Sequence, residues 1–345
     1  MSLYSEILEQ PACLERLLSS QKKNVEEIAA AIQSRDIRFA FLAARGTSDN
    51  AGRYANYLWG SLNGLPLALA TPSLFTYYKQ PPRLKNALVV GISQSGQSPD
   101  IVSVVQEGKR QGNLTLAITN AVDSPLAQTA DFVLDVQAGP ELAVAATKTY
   151  TAELMAIAML STALSGNAQH WGELEQAAGW VQEALNQDKA IGQLAQRYRY
   201  MQQCVVLGRG YNYATAFEWA LKLKELTYVE AEPYSSADFQ HGPVAMVAQG
   251  FPVMAVIPAG KVFDPMMALL KHLQTDLLAE LVVISNAAEA QTVAASPIPI
   301  PAEVPEWLSP LVTIVPAQLF AYHLTRIKGF DVNKPRSLSK ITETR

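Results

Sequence analysis

Twice along this chain an apolar run ends in a small residue followed by Arg-Gly and turns within a few residues into a helix. The first instance is 38–44, then Arg45-Gly46-Thr47-Ser48-Asp49-Asn50 and an amphipathic helix to about Leu62. The second is 204–207, then Gly208-Arg209-Gly210 and a helix over 212–229. Strand, turn and helix in that order begin a βαβ unit, and their recurrence implies a duplicated domain. At 345 residues the chain exceeds the usual size of one core, and 49% hydrophobic residues suffice to fill two.

The remaining periodicity fits this plan. Residues up to about Arg35 read as helical, with Leu14, Leu17, Leu18, Val25, Ile28 and Ile32 on one stripe. Further strands are expected at 65–70, 87–92, 114–119 and 131–136, with helices at 100–111 and 144–165. The helix at 100 starts at a proline preceded by Ser98, a residue able to cap it. A helical bridge over 171–198 leads to the second copy, which adds strands at 251–257 and 280–284 and helices at 265–275 and 311–328. The expected divisions are a helical segment 1–35, a first domain 36–168, a linking helix 169–198, a second domain 199–330 and a tail 331–345. Strands alternating with helices predict parallel sheets, whose ligands sit at the carboxyl ends of the strands.

Composition removes several function classes. Net charge is −4 with no run of like charges, so no basic face is available for nucleic acid. Cys13 and Cys204 stand far apart in no metal-ligand spacing, and His170, His241, His272 and His323 are equally scattered, so no metal is expected. The N-terminus carries Glu6 and Glu9 where a signal peptide would be cationic and then apolar, and the most apolar stretch, 152–164, contains Glu153 and is short of the roughly 20 residues that span a bilayer. The expectation is a cytoplasmic protein with no membrane partner. No G-x-G-x-x-G follows any expected strand, which disfavours NAD, and no cofactor is expected.

The residues with chemistry lie in five places. Ser93-Gln94-Ser95-Gly96-Gln97-Ser98 puts three hydroxyls and one glycine directly before a helix N-terminus, an anion cradle without fixed positive charge that suits a phosphate monoester. A plain capping turn is the competing reading. Gly46-Thr47-Ser48 ends the first strand and can present hydroxyls and amides on the same side of a parallel sheet. Glu218, Lys222 and Glu225, at i, i+4 and i+7, share a helix face; they are either a surface ion-pair ladder or, given Phe217, Trp219, Leu221 and Leu226 around them, carboxylates tuned for proton transfer. His241 precedes Gly242-Pro243 in irregular backbone, where an imidazole is either structural or functional. Lys340 lies in a tail that composition alone would leave solvated, although a desolvated lysine is what carbonyl chemistry uses.

Together these segments resemble the isomerase half of glucosamine-6-phosphate synthase and, more broadly, the sugar isomerase (SIS) domain family. The matching pieces are Gly46-Thr47-Ser48, Ser93-Gln94-Ser95-Gly96, Val144-Ala145-Ala146-Thr147-Lys148, Ala220-Leu221-Lys222-Leu223-Lys224-Glu225, His241-Gly242-Pro243 and the tail from Pro335 to Lys340, in the family's order. The resemblance implies two tandem SIS domains, each a doubly wound, flavodoxin-like α/β sheet. It implies that Ser93, Gln94, Ser95 and Ser98, with Thr47 nearby, hold a sugar phosphate, and that Gly46, Ser48, Val144, Ala146 and Ser339 belong to the binding site. It implies Glu225 as the acid/base between C1 and C2, Lys222 close by, Lys340 on the open-chain carbonyl, and His241 assisting ring opening from the other subunit of a homodimer.

The departures from the synthase point to the stand-alone two-domain members. Ser2 follows Met1 where the synthase has a cysteine nucleophile, only about forty residues precede the first strand, and Ala146 replaces a serine. Glutamine is therefore not expected as nitrogen source. The leading expectation is a deaminase/isomerase turning glucosamine 6-phosphate into fructose 6-phosphate and ammonia. The alternatives are a deglycase of fructosyl-amine phosphates, a plain aldose–ketose phosphate isomerase, and a non-catalytic phosphosugar sensor, for which no DNA-reading segment is visible.

Overall fold

The structure is a computed structural model and describes residues 2–340; Met1 and the end of the tail from Ile341 lie outside the described residues. The chain forms two compact units. One, the first-sheet unit, takes Ala12–Glu141, Lys148–Gln176, Ser339 and Lys340; the other, the second-sheet unit, takes the described residues up to Pro11, Leu142–Thr147 and Ala177–Leu338.

From the N-terminus the elements run α1 (Leu3–Leu8), α2 (Gln10–Gln33), β1 (Phe39–Ala43), α3 (Gly46–Asn63), β2 (Leu67–Leu69), α4 (Ser73–Thr76), β3 (Ala87–Ile92), α5 (Pro99–Arg110), β4 (Leu114–Thr119), α6 (Pro125–Thr129), β5 (Phe132–Asp135) and α7 (Lys148–Ser165). The five strands form one parallel sheet in the order β2-β1-β3-β4-β5. β3 and β4 are buried at every residue, which is why they read as unbroken apolar runs rather than as alternations. Phe41, Val89, Val104, Val105, Ala117 and Leu126 form part of the core between this sheet and α5 and α6.

After α8 (Ala168–Leu185) and α9 (Asp188–Ala195) come β6 (Gln203–Gly208), α10 (Tyr213–Lys222), β7 (Glu230–Ser235), α11 (Ser236–Phe239), β8 (Pro252–Val256), α12 (Phe263–Thr275), β9 (Glu280–Ser285), α13 (Ala288–Thr292), β10 (Ser296–Pro299) and α14 (Ser309–Ile327). The second sheet is also parallel and runs β10-β9-β8-β6-β7. Read from its other edge this is the order of the first sheet, the flavodoxin-like 2-1-3-4-5 arrangement. The duplication expected from the repeated strand–turn–helix is therefore present at the level of topology. Among the described residues, no helix is long and apolar enough to cross a membrane.

Several element boundaries differ from the expected ones for physical reasons. The helix expected from Val144 begins at Lys148, because Glu6, fully buried, accepts the backbone N–H groups of Leu142 (2.6 Å) and Ala143 (3.2 Å) and holds that segment irregular. The bridge over 171–198 is not one helix but α8, α9 and a 3-10 turn. Ser98 is the N-cap residue of α5 but its side chain makes no capping hydrogen bond, so the serine expected to cap leaves its hydroxyl unused for that purpose. The helix expected over 212–229 ends its α-helical part at Lys222 and passes into a π-helical turn, Leu223–Thr227, closed by Tyr228 at φ 58°. Strands β7 and β10 were not expected; both are edges and both contain proline, which an edge tolerates and a sequence pattern hides.

Candidate active site

In a 2-1-3-4-5 sheet the chain leaves β1 and β3 in opposite directions, and the crevice between their carboxyl ends is where such folds take ligands. The first sheet places Arg45-Gly46-Thr47-Ser48 and the loop 93–98 at those two ends, each leading straight into a helix of at least twelve residues. Two helix N-termini thus face one crevice, a favourable field for an anion. Inside the loop, Ser93 Oγ accepts the Gly96 N–H at 3.1 Å and Ser95 Oγ accepts the Gln97 N–H at 3.3 Å. The amides of Ser95 and Ser98 have no protein acceptor among the described residues. Gly96 stands at φ 60°, and a Cβ there would collide with the Ser124 hydroxyl, so the sharp turn demands glycine.

The walls carry charge of their own. Arg45 Nε donates to Asp100 Oδ2 at 2.8 Å; the Asp100 side chain is wholly buried while that of Arg45 is 48% exposed. The same arginine, with Thr71, Leu74 and Tyr78, lines a cavity of about 460 Å³ at the end of β2. Ser48 is turned inward: its hydroxyl donates to the buried carboxylate of Glu153 at 2.8 Å. Thr47 is half-buried beside it.

The tail lysine is not solvated. Lys340 Nζ donates to Glu141 Oε2 at 2.7 Å, with the Glu141 side chain fully buried and that of Lys340 23% exposed. Glu141 also accepts the Thr149 backbone N–H at 3.1 Å and the Thr149 hydroxyl at 2.8 Å, so it ties the first turn of α7 to the lysine. Sequence reasoning missed Glu141. Its signal was a single acid in the otherwise uncharged stretch from Val136 to Thr147. Ser339, beside Lys340, is exposed.

In the second-sheet unit, Lys222 bridges two carboxylates, Glu225 Oε2 at 2.6 Å and Glu218 Oε1 at 3.3 Å. Lys222 and Glu218 are essentially buried and Glu225 keeps 22% of its side chain exposed, so the surface-ladder reading does not hold. Burial pulls the Lys222 ammonium down, but Glu218 and Glu225 more than offset it and hold it above its ordinary value. π turns are uncommon and cluster at functional sites, and this one carries Glu225. The turn is anchored at its end: the Tyr228 hydroxyl accepts the Arg336 N–H at 2.9 Å, and the Arg336 guanidinium lies 4.4 Å from the Tyr228 ring centre. His241 is exposed in the loop after α11, with its backbone N–H donated to Asp238 O at 3.0 Å. Val144 and Ala146 are half-buried in the irregular segment before α7.

The description of the SIS domain matches residues 35–163 and 200–328 of this chain. A glutamine–fructose-6-phosphate aminotransferase (isomerizing) of Thermococcus kodakarensis is 35% identical over 347 residues, a match covering 98% of this chain and 57% of the relative. The chain thus spans little more than half the length of the curated relatives it matches. The solved C-terminal domain of glucosamine-fructose-6-phosphate aminotransferase from Francisella tularensis superposes with a TM-score of 0.86 at 28% identity, over 96% of this chain and 98% of that one. Glucosamine-6-phosphate deaminase from Thermotoga maritima shares the fold, with a TM-score of 0.82 at 21% identity over all of both chains. With two matching segments over two sheets of identical strand order, this chain belongs to the SIS domain family.

Proposed function

We propose that this chain is a deaminase/isomerase of an amino-sugar phosphate, converting glucosamine 6-phosphate and water to fructose 6-phosphate and ammonia. The observation that carries the reading is a pair of features: a hydroxyl-lined anion cradle at the switch point of the first sheet, and a half-buried carboxylate on a π turn backed by a buried lysine. In this reading Ser93, Gln94, Ser95, Ser98 and Thr47 hold the phosphate, assisted by the amides at the starts of α3 and α5; Gly46, Ser48, Val144, Ala146 and Ser339 shape the site. Glu225 takes the proton from C2 of the opened aldehyde and returns it to C1, with the Lys222 ammonium paired to it at 2.6 Å. The resulting C2 iminium is attacked by water, and the C–N bond breaks with release of ammonia. Lys340, oriented by Glu141, polarises the carbonyl oxygen. His241, lent by a second copy in a homodimer, moves the ring-opening proton.

The relatives' name couples isomerisation to an aminotransfer from glutamine; the proposal shares with it the proton transfer between adjacent carbons and adds hydrolysis of the C2 iminium. Pure protein incubated with glucosamine 6-phosphate should release ammonia and fructose 6-phosphate in equal amounts. A second reading, removal of an amino acid from a fructosyl-amine phosphate, draws support from the Arg45-lined cavity, which is large enough for the leaving amine and has no acidic residue on its wall. Absence of ammonia together with turnover of a fructosyl-amino-acid phosphate would move the assignment there.

A further inference from the structure

The second sheet has the same switch point as the first, between β6 and β8. The equivalence extends to single residues. β1 is followed by Arg45 (φ −139°, ψ 154°) and Gly46 at φ 53°; β6 ends at Gly208 and is followed by Arg209 (φ −153°, ψ 156°) and Gly210 at φ 60°. The loop from β3 to α5 is 93–98, and the loop from β8 to α12 is 257–262; each has six residues with glycine at the fourth. What differs is chemistry. Ser93, Ser95 and Ser98 are replaced by Ile257, Ala259 and Val262, and Gln94 by Pro258, so the second loop has lost its hydroxyls and one amide, and its Ala259 amide donates to Asn286 Oδ1 at 2.7 Å.

A carboxylate occupies the place those hydroxyls would serve. Glu306 Oε2 accepts the backbone N–H of Lys261, the residue after the loop glycine, at 3.0 Å. The glutamate packs so closely on Gly260 that a Cβ there would collide with its side chain. Glu306 opens a 3-10 turn before α14, and the turn is tied to the β6 loop: Ser309 Oγ donates to Glu306 O at 2.6 Å and accepts Asn212 Nδ2 at 2.7 Å. From these relations we infer that the second crevice is a phosphate-type anion site whose ligand is the chain's own Glu306, which closes it to sugar phosphates and leaves each chain one open phosphosugar site. Arg209 and Lys261 stand on the two loops at this crevice, and Lys261 meets Glu306 through its backbone N–H.

Removing the carboxylate should make the site available to a free anion. In phosphate-free buffer full-length Glu306→Ala should melt below the wild type, and millimolar inorganic phosphate should raise its Tm at least twice as much as it raises the wild type's. Glu306→Gln keeps an acceptor for the Lys261 amide and should respond no more than the wild type. By calorimetry, sugar phosphate bound per chain should rise from one to two in Glu306→Ala. Equal phosphate responses in wild type and Glu306→Ala overturn the inference; if the alanine variant does not fold, Glu306→Asp, which withdraws the carboxylate by one methylene, is read by the same criterion. A wild type without any phosphate response would count against the proposed function alone, because the inference is read from the difference between variant and wild type.

Discussion

Lys222 shows how much a single buried charge decides here. It lies between Glu218 and Glu225 with 1% of its side chain exposed, and breaking such a buried set leaves uncompensated carboxylates, at a cost of about 3–5 kcal/mol. Lys222→Met should lower stability by that order in chemical denaturation. Because its folded pKa lies above the ordinary lysine value of about 10.4, its contribution is fully present below that pH and is lost as pH rises through the folded value. The stability gap between wild type and Lys222→Met should therefore stay constant through neutral pH and narrow only in strongly alkaline solution; a gap that closes near pH 7 would contradict the assignment. The spacing of 218, 222 and 225 was legible as one helix face. Their burial was not, since it depends on α14 packing against α10 and on a π turn that no local pattern announces. Cys204 is fully buried, and burial pushes its thiol up to about 12, so it remains protonated at neutral pH.

The element that matters most is the loop between β3 and α5. Its length and its glycine at φ 60° set where Ser93 and Ser95 turn, and the hydroxyl of Ser124 leaves no room for a Cβ at 96. Gly96→Ala should cost about 1–3 kcal/mol through strain and collision, and should weaken binding of fructose 6-phosphate at least tenfold in a titration, with the β-sheet spectrum retained. Unchanged affinity would separate the loop from the phosphate. The central strands were readable because burial on both faces leaves a continuous apolar run, as in 87–92 and 114–119. Edge strands β7 and β10, with polar residues and prolines, gave no such signal. The start of α7 was misplaced because it is set by Glu6, which holds Leu142 from 136 positions away in sequence, and by Glu141, contacts that only folding brings together.

Across the molecule, one topology has been used twice and equipped once. Both sheets keep the 2-1-3-4-5 order, the Arg-Gly turn and the six-residue loop, yet only the first loop carries hydroxyls, and the second has a glutamate seated on its glycine. Duplication was legible from the repeated strand–turn–helix, as was the Ser/Gly turn before α5, because both are local. The grip of Glu141 on Lys340 and of Glu306 on Lys261 was not, because each joins residues far apart in the chain. The central claim is that a sugar phosphate held at the first sheet undergoes proton transfer between C1 and C2 by the carboxylate at 225. Its most direct measurement is proton NMR of fructose 6-phosphate with ammonium ion in D2O. Wild-type protein should replace a C1 hydrogen with deuterium, Glu225→Gln should slow that exchange at least a hundredfold while binding the sugar phosphate as tightly, and Ser95→Ala should weaken binding. Wild-type protein that binds fructose 6-phosphate yet leaves both C1 hydrogens in place, or a Glu225→Gln variant that exchanges at the wild-type rate, would contradict it.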